Sequence, residues 1–246
     1  MRGIKLRLEG DYGHFKRPEM NNNKCSYALM HKVAFIGLMG SIIGCQRTGE
    51  SLYTGLYKGP SMRDRYSELC KGLLYSIKVL TPVTKVFESF TKRTVVDGPF
   101  FGKRGRYSIE LIKSPKYEVT VALGDDSATD FFDPFCHAVK NNLSVYGVSL
   151  GGEKWSGTYS FLSDVIISDE KTGEFDTSAV FSKAHKMVDF GTAEFFLDRV
   201  PVSLLEDRYY DPVTFVDIII PGMKIKVSGN HRIVQEEKGE ECSWFM

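Results

Sequence analysis

The sequence predicts an α+β chain in two parts: a β-α-β-β-α-β unit over residues 1–153, and a small β-rich extension over 154–246. Three patterns carry this prediction. Apolar and charged residues alternate at period two in several short runs of the first part. Two longer stretches repeat apolar residues at helical spacing. Beyond Trp155 strand-like runs continue while helical periodicity fades.

Ile4, Leu6 and Leu8 fall on one face of residues 3–9, with Lys5, Arg7 and Glu9 on the other, as in a half-buried strand. Gly10 and Gly13 end it. Asp11 to Met30 is polar, holds Pro18 and the run Asn21 to Asn23, and reads as a long loop; such loops usually carry function. Residues 32–43 look helical, with Gly37, Gly40 and Gly44 along one face. Each glycine costs a helix about 1 kcal/mol relative to alanine, so the face is expected to lie close against a sheet or a ligand. A second helix runs from Ser61, as N-cap, to Cys70, and GLLYSIKVL (72–80) follows as a strand. Residues 91–106 are rich in Lys, Arg and Gly and lead into an expected hairpin of RYSIELI (106–112), a Ser114-Pro115-Lys116 turn and YEVTVAL (117–123). Phe131, Phe135 and Val139 mark an amphipathic helix over 128–141, and Leu143 to Leu150 reads as a further strand closed by Gly151-Gly152. This order is the split βαβ arrangement called ferredoxin-like, which RNA-recognition domains use. In the extension, FVDIII (215–220) and KIKV (224–227) read as strands, whereas the tail EEKGEECSWFM has no clear pattern.

A chain of 246 residues, 42% hydrophobic and 13% aromatic, has ample material for a core. No apolar run approaches the length of a bilayer crossing and MRGIKLRLEG lacks the order of a signal peptide, so a cytoplasmic protein is expected. Cys25, Cys45, Cys70, Cys136 and Cys242 are scattered, without a CxxC pair, and read as reduced. The net charge of +1 hides an asymmetry: residues 1–123 carry 21 Lys+Arg against 10 Asp+Glu, and residues 124–246 carry 11 against 21. A basic half fits a polyanion surface. Equally, the two halves can attract each other.

GDYGHFKR (10–17) matches neither the dinucleotide fingerprint nor GxxxxGK[ST], so no nucleotide cofactor is expected. It is a loop able to present His14, Lys16 and Arg17 to phosphates and Tyr12 or Phe15 to a base, or else a solvated turn. Lys92, Arg93, Lys103, Arg104 and Arg106, with Tyr107, are interrupted by Gly98, Gly102 and Gly105 and have Asp97 as their one near counter-charge. RNA contact, with phosphates as the missing anions, is expected ahead of the alternative of a solvated face. The five histidines show no metal-ligand spacing, and there is no GxSxG nucleophile. A metal-independent ribonuclease, needing only a base and a cation, remains as an alternative, with His14 or His31 beside Tyr27 and Lys32.

LEGDYGHFKRPEMNNNKCSYALMHKVAFIGLMGSIIG (8–44) resembles the Cas-five family, the RAMP-type subunit that caps the 5′ handle of guide RNA in type I CRISPR Cascade, and is most similar to the type I-B branch. A strand, a Gly-aromatic-basic-Pro loop, a Tyr before a basic position and a glycine-spaced apolar helix are all present. KRT (92–94), ELIKSPKYEVTVAL (110–123) and VYGVSLGGE (145–153) agree more weakly. The resemblance implies a modified ferredoxin-like domain with an inserted basic β-hairpin, or thumb, near 91–106, and a β-rich extension. It implies that His14, Lys16, Arg17, Tyr27, His31 and Lys32, with Lys24 in the same loop, lie along the RNA handle. Implied partners are the guide RNA, the first backbone subunit and the large PAM-reading subunit, with target DNA approached only indirectly; no membrane, small-molecule substrate or cofactor is implied. Where the family often has Pro-Pro-Arg-Thr this chain has Met30-His31-Lys32-Val33, so a lysine stands in place of a guanidinium fork. One branch cleaves precursor RNA with a Tyr and a Lys-His pair. No Lys-His dipeptide occurs here, which implies the non-catalytic branch.

Overall fold

The computed structural model describes residues 1–18, 23–46, 56–93, 104–152, 154–189, 193–204, 214–237 and 239–246. In chain order the first part holds β1 (Arg2–Gly10), β2 (Tyr12–Gly13), β3 (Asn23–Lys24), α1 (Lys32–Ile43), α2 (Met62–Gly72), β4 (Leu73–Val79), β5 (Lys85–Arg93), β6 (Arg104–Lys113), β7 (Lys116–Leu123) and α3 (Thr129–Lys140). Then come β8 (Gly157–Ile167), β9 (Lys171–Thr177), β10 (Phe181–Ser182), β11 (Lys186–Asp189), β12 (Phe195–Pro201), β13 (Phe215–Pro221), β14 (Ile225–Glu236) and β15 (Gly239–Ser243).

The alternation of β1 dictates its place. Ile4, Leu6 and Leu8 are buried, and the strand sits inside the main sheet between β7 and β8. The order there is β8-β1-β7-β4, each neighbouring pair antiparallel. β14 extends this sheet beyond β8 and also carries β9, β11 and β15. A second sheet joins β2, β6, β3 and β5, and a third has the order β10-β13-β12. One apolar cluster runs from Ile4 to Ile220, taking in Val200, Ile218 and Ile220 of the third sheet. Among the described residues no α-helix follows α3, as the fading periodicity beyond Trp155 predicted.

α1 is apolar all round because it is covered on nearly every side. Its Phe35 ring lies 5.2 Å from Tyr75 of β4 and 6.0 Å from Phe135 of α3. The glycine face is close-packed, but against a helix: a Cβ on Gly37 or Gly40 lands 2.6 Å from the Tyr66 hydroxyl or the Met62 sulfur of α2. Gly44 ends α1 in the left-handed region, its N–H returned to the Gly40 and Ser41 carbonyls. α2 is fixed to the start of α3 by Arg65, whose guanidinium donates two 2.8 Å bonds to Asp130 and one of 3.1 Å to the Ser127 carbonyl.

Four sequence expectations change. The segment 143–150 is a run of turns, and the strand completing the sheet beside β1 is β8, which begins after residue 153. The expected 106–112/117–123 hairpin is not a ladder: β6 pairs with β5, while β7 pairs with β1 and β4. Ser114, with φ 46, redirects the chain from one sheet to the other. Lys5 is not on a solvated face but buried, with Glu118, Glu236 and Glu241 around its ammonium. The tail is built in. Met246 exchanges two backbone hydrogen bonds with Tyr75, 2.9 and 3.2 Å long.

The turns after α3 close on the opening loop, where the Leu150 carbonyl accepts the His14 N–H at 2.9 Å. Gly151 follows at φ +97, and a Cβ there stands 1.9 Å from the His14 carbonyl oxygen. Gly151→Ala is therefore expected to cost about 1–2 kcal/mol from the left-handed conformation alone, plus the clash. Denaturant titration checks this: an unchanged midpoint contradicts it.

Candidate nucleic-acid interface

The opening loop is not a solvated excursion. β2 and β3 both pair with β6, Lys16 bridges to Ser26, and Phe15 and Tyr27 are fully buried. His14 is buried too, and since a carbonyl only accepts, its Nδ1 donates to Glu110 O at 2.9 Å. Burial pushes its imidazole below the ordinary histidine range, against the pull of that carbonyl. His31 caps α1, Nδ1 accepting the Ala34 N–H at 3.3 Å, and complete burial takes its pKa down to about 3. Lys32 is buried with its Nζ donating to the Met246 main-chain oxygen at 2.9 Å, and desolvation lowers its pKa to about 8.

The charge asymmetry explains part of this burial. The guanidinium of Arg17 pairs with Asp198 of β12 and lies 4.7 Å above the Tyr27 ring. Lys5 meets Glu236 and Glu241, so cations of the basic half are neutralised by acids of the other. His14, Tyr27, His31 and Lys32, expected to lie along an RNA, are all buried in this chain. Arg17 is turned inward to Asp198. Lys16 is exposed and Lys24 half-buried, and they are what this loop offers a polyanion.

A lysine whose folded pKa lies below its unfolded value of about 10.4 binds fewer protons folded than unfolded between those two pH values. Stability should therefore rise with pH from about 8, the Lys32 value, by at most about 1.4 kcal/mol per pH unit. Lys32→Met is expected to flatten that rise in denaturation series at pH 7.5 to 10, values chosen on the order of the window itself; an unchanged slope contradicts a buried ammonium.

The hairpin gathers the other predicted cations. Register sets Arg93 opposite Arg104, Lys92 opposite Gly105 and Thr91 opposite Arg106. Lys103 lies outside the described residues. Below these positions Phe90 pairs with Tyr107, their rings stacked at 5.7 Å and 25°. Lys24 Nζ is 4.9 Å from the Tyr107 ring centre, and Lys154 Nζ is 5.6 Å from that of Phe90. Sequence reasoning named Lys24 and Tyr107 but missed Phe90 and Lys154. Phe90 sits in the run KVFESF, whose alternation was a readable strand signal. Lys154 has no local signal, since only tertiary folding brings it to the hairpin.

Other chemistry has little material. Among the described residues no group of three His, Cys, Asp or Glu is placed to hold a metal ion, and all five cysteines are free. No described helix is long and apolar enough to cross a membrane. A groove of about 480 Å³ between the end of β4 and the β12–β13 strands is lined by apolar residues such as Val79, Pro82, Phe196 and Met223, with Glu194 at its edge.

A family model described as CRISPR-associated protein (Cas_Cas5) matches residues 3–103. No curated protein sequence matches the chain. Among solved structures, a chain of a "CRISPR RNA-guided surveillance complex" is similar with a TM-score of 0.51 at 14% identity, over 91% of each chain. A chain of a type III-B Cmr-beta assembly bound to cognate target RNA and AMPPnP gives 0.45 at 9% identity, over 92% of this chain and 86% of that one. A Cas protein crystal structure gives 0.38 at 16% identity, over 62% and 57%. The likeness to the surveillance-complex chain extends to the fold, a sheet-dominated mixture of antiparallel strands and helices.

Proposed function

We propose that the chain, which is similar over residues 3–103 to the CRISPR-associated Cas_Cas5 family, is a Cas-five protein and a non-catalytic subunit that holds the 5′ handle of a guide RNA in a type I Cascade complex. In this reading the strand order β8-β1-β7-β4, interrupted by the β5–β6 hairpin, is a ferredoxin-like RNA-binding unit with an inserted thumb. The unit expected over 1–153 then closes with β8, and the rest of 154–246 is the β-rich extension. A backbone subunit and a PAM-reading subunit are its protein neighbours, in the cytoplasm.

The observation that carries the reading is the hairpin register, which brings Lys92, Arg93, Arg104 and Arg106 to one end of two strands, beyond the sheet that holds the core. Cations gathered on paired strand positions fit a chain of phosphates, which supplies the counter-charge. Burial of His14, His31 and Tyr27 supports the non-catalytic form, because a general base must reach the ribose hydroxyl it deprotonates.

The test is salt-dependent binding of repeat-derived RNA by the full chain, with RNA integrity followed in EDTA. Arg104→Ala is expected to weaken binding roughly tenfold at low salt, the worth of one charge-assisted contact of about 1.5 kcal/mol. It should flatten the salt slope by about 0.7, one single-strand phosphate. Unchanged affinity and slope on Arg104→Ala and Arg106→Ala remove the hairpin from the interface, and specific cleavage in EDTA overturns the non-catalytic assignment.

A further inference from the structure

We propose that the Phe90–Tyr107 pair, with Lys24 over Tyr107 and Lys154 over Phe90, is a stacking subsite for an unpaired nucleobase of single-stranded RNA. The inference rests on the RNA-binding reading above and adds to it the ligand group, its place and its degree of sequence selectivity.

Both rings are only half-buried, on paired strand positions that hold them without help from a ligand. Unlike the fully buried aromatics of the core, these two rings keep exposed surface, and lysine ammonium groups lie 4.9 and 5.6 Å from the ring centres. Such a contact is removable. An exposed cation–π contact is worth roughly 0.5–1 kcal/mol and its stem is flexible, whereas a base stacked on an aromatic side chain is worth roughly 1–3 kcal/mol. A base entering over a ring displaces the ammonium sideways, toward the phosphates that flank the base, so the lysine exchanges a ring contact for an ion pair. Lys24 and Lys154 come from different segments, one in β3 beside β6 and over Tyr107, one in the turn before β8 and over Phe90, so each ring has its own cation to meet a flanking phosphate.

The site should read base shape weakly. Stacking without base-edge hydrogen bonds tolerates any base.

The experiment uses the full chain and a single-stranded RNA of mixed sequence carrying one 2-aminopurine, read by fluorescence quenching and by affinity against salt. Phe90→Leu and Tyr107→Leu are expected to lower affinity roughly 5- to 150-fold, the range that 1–3 kcal/mol of stacking spans, to abolish quenching, and to leave the salt slope unchanged. Tyr107→Phe should keep both affinity and quenching, which also controls for folding. Lys24→Ala and Lys154→Ala should each flatten the slope by about 0.7. If the leucine variants bind and quench like the parent while Arg104→Ala weakens binding, the subsite is overturned and the RNA-binding reading stands. If the parent chain binds no RNA, both fall.

Discussion

Replacing Asp198 with alanine is expected to destabilise the chain by about 3–5 kcal/mol, the cost of leaving one partner of a buried ion pair uncompensated. The Asp198 side chain is 1% exposed and has three donors. It pairs with the Arg17 guanidinium, accepts the Ala28 N–H at 2.7 Å, and accepts the Arg199 N–H at 2.7 Å. One acid of β12 thereby fixes both ends of the 17–28 segment that carries Lys24. Truncation strands the Ala28 donor inside the core and turns Arg17 loose over Tyr27. Asp198→Asn keeps one oxygen acceptor but no charge, and should cost less. In a double-mutant cycle Arg17→Met should recover part of the loss, because the guanidinium is then no longer left unpaired. Chemical denaturation measures all three, and RNA affinity should fall with Asp198→Ala even under conditions where the chain stays folded. A loss below about 1 kcal/mol, the level of an exposed pair, contradicts the role assigned to this residue.

Elements with strong local periodicity were legible in the sequence. β1, α1, α2, β4 and α3 fall where period-two or helical spacing puts them, because each buries an apolar face that its own residues define. What failed was pairing. That 106–112 and 117–123 are strands was readable, but β6 pairs with β5, and no residue of β7 betrays that it belongs to another sheet. The strand expected at 143–150 was drawn by Val145 and Val148, apolar residues that lie in turns, Val145 exposed. For the candidate site, residue type was legible and accessibility was not. Lys32 and His31 look like surface groups until α1 is covered on all sides, and Arg17 looks like a phosphate ligand until an acid 181 positions away closes on it. Long-range pairing between the basic and acidic halves was a stated alternative from charge alone, and it decides which cations remain for a ligand.

Lys5→Met should be of similar size, about 3–5 kcal/mol, for the opposite reason: it leaves anions, not a cation, unpartnered. Lys5 stands in β1 with its Nζ against Glu236, 3.0 Å from Glu241 and 3.6 Å from Glu118, while Ser163 donates to Glu236 at 3.2 Å. Those acids sit on β7, β14 and β15, so one ammonium ties the C-terminal hairpin to the centre of the main sheet. Burial by itself lowers the pKa of Lys5, but the bonds and charges of Glu236, Glu241 and Glu118 outweigh it and hold the group above the usual lysine value. A folded pKa above the unfolded one means that the folded state keeps its proton longer. The stabilisation is complete below an unfolded value of about 10.4 and disappears as pH climbs through the folded one. The parent chain should therefore weaken steeply at strongly alkaline pH, beyond the window in which Lys32 strengthens it, and Lys5→Met should not share that alkaline loss. The variant should instead regain stability on acidification, as protonated carboxyls cease to repel. A Lys5→Met chain that is as stable as the parent at neutral pH, or whose stability does not respond to acid, removes the cluster from the forces that hold the two halves together.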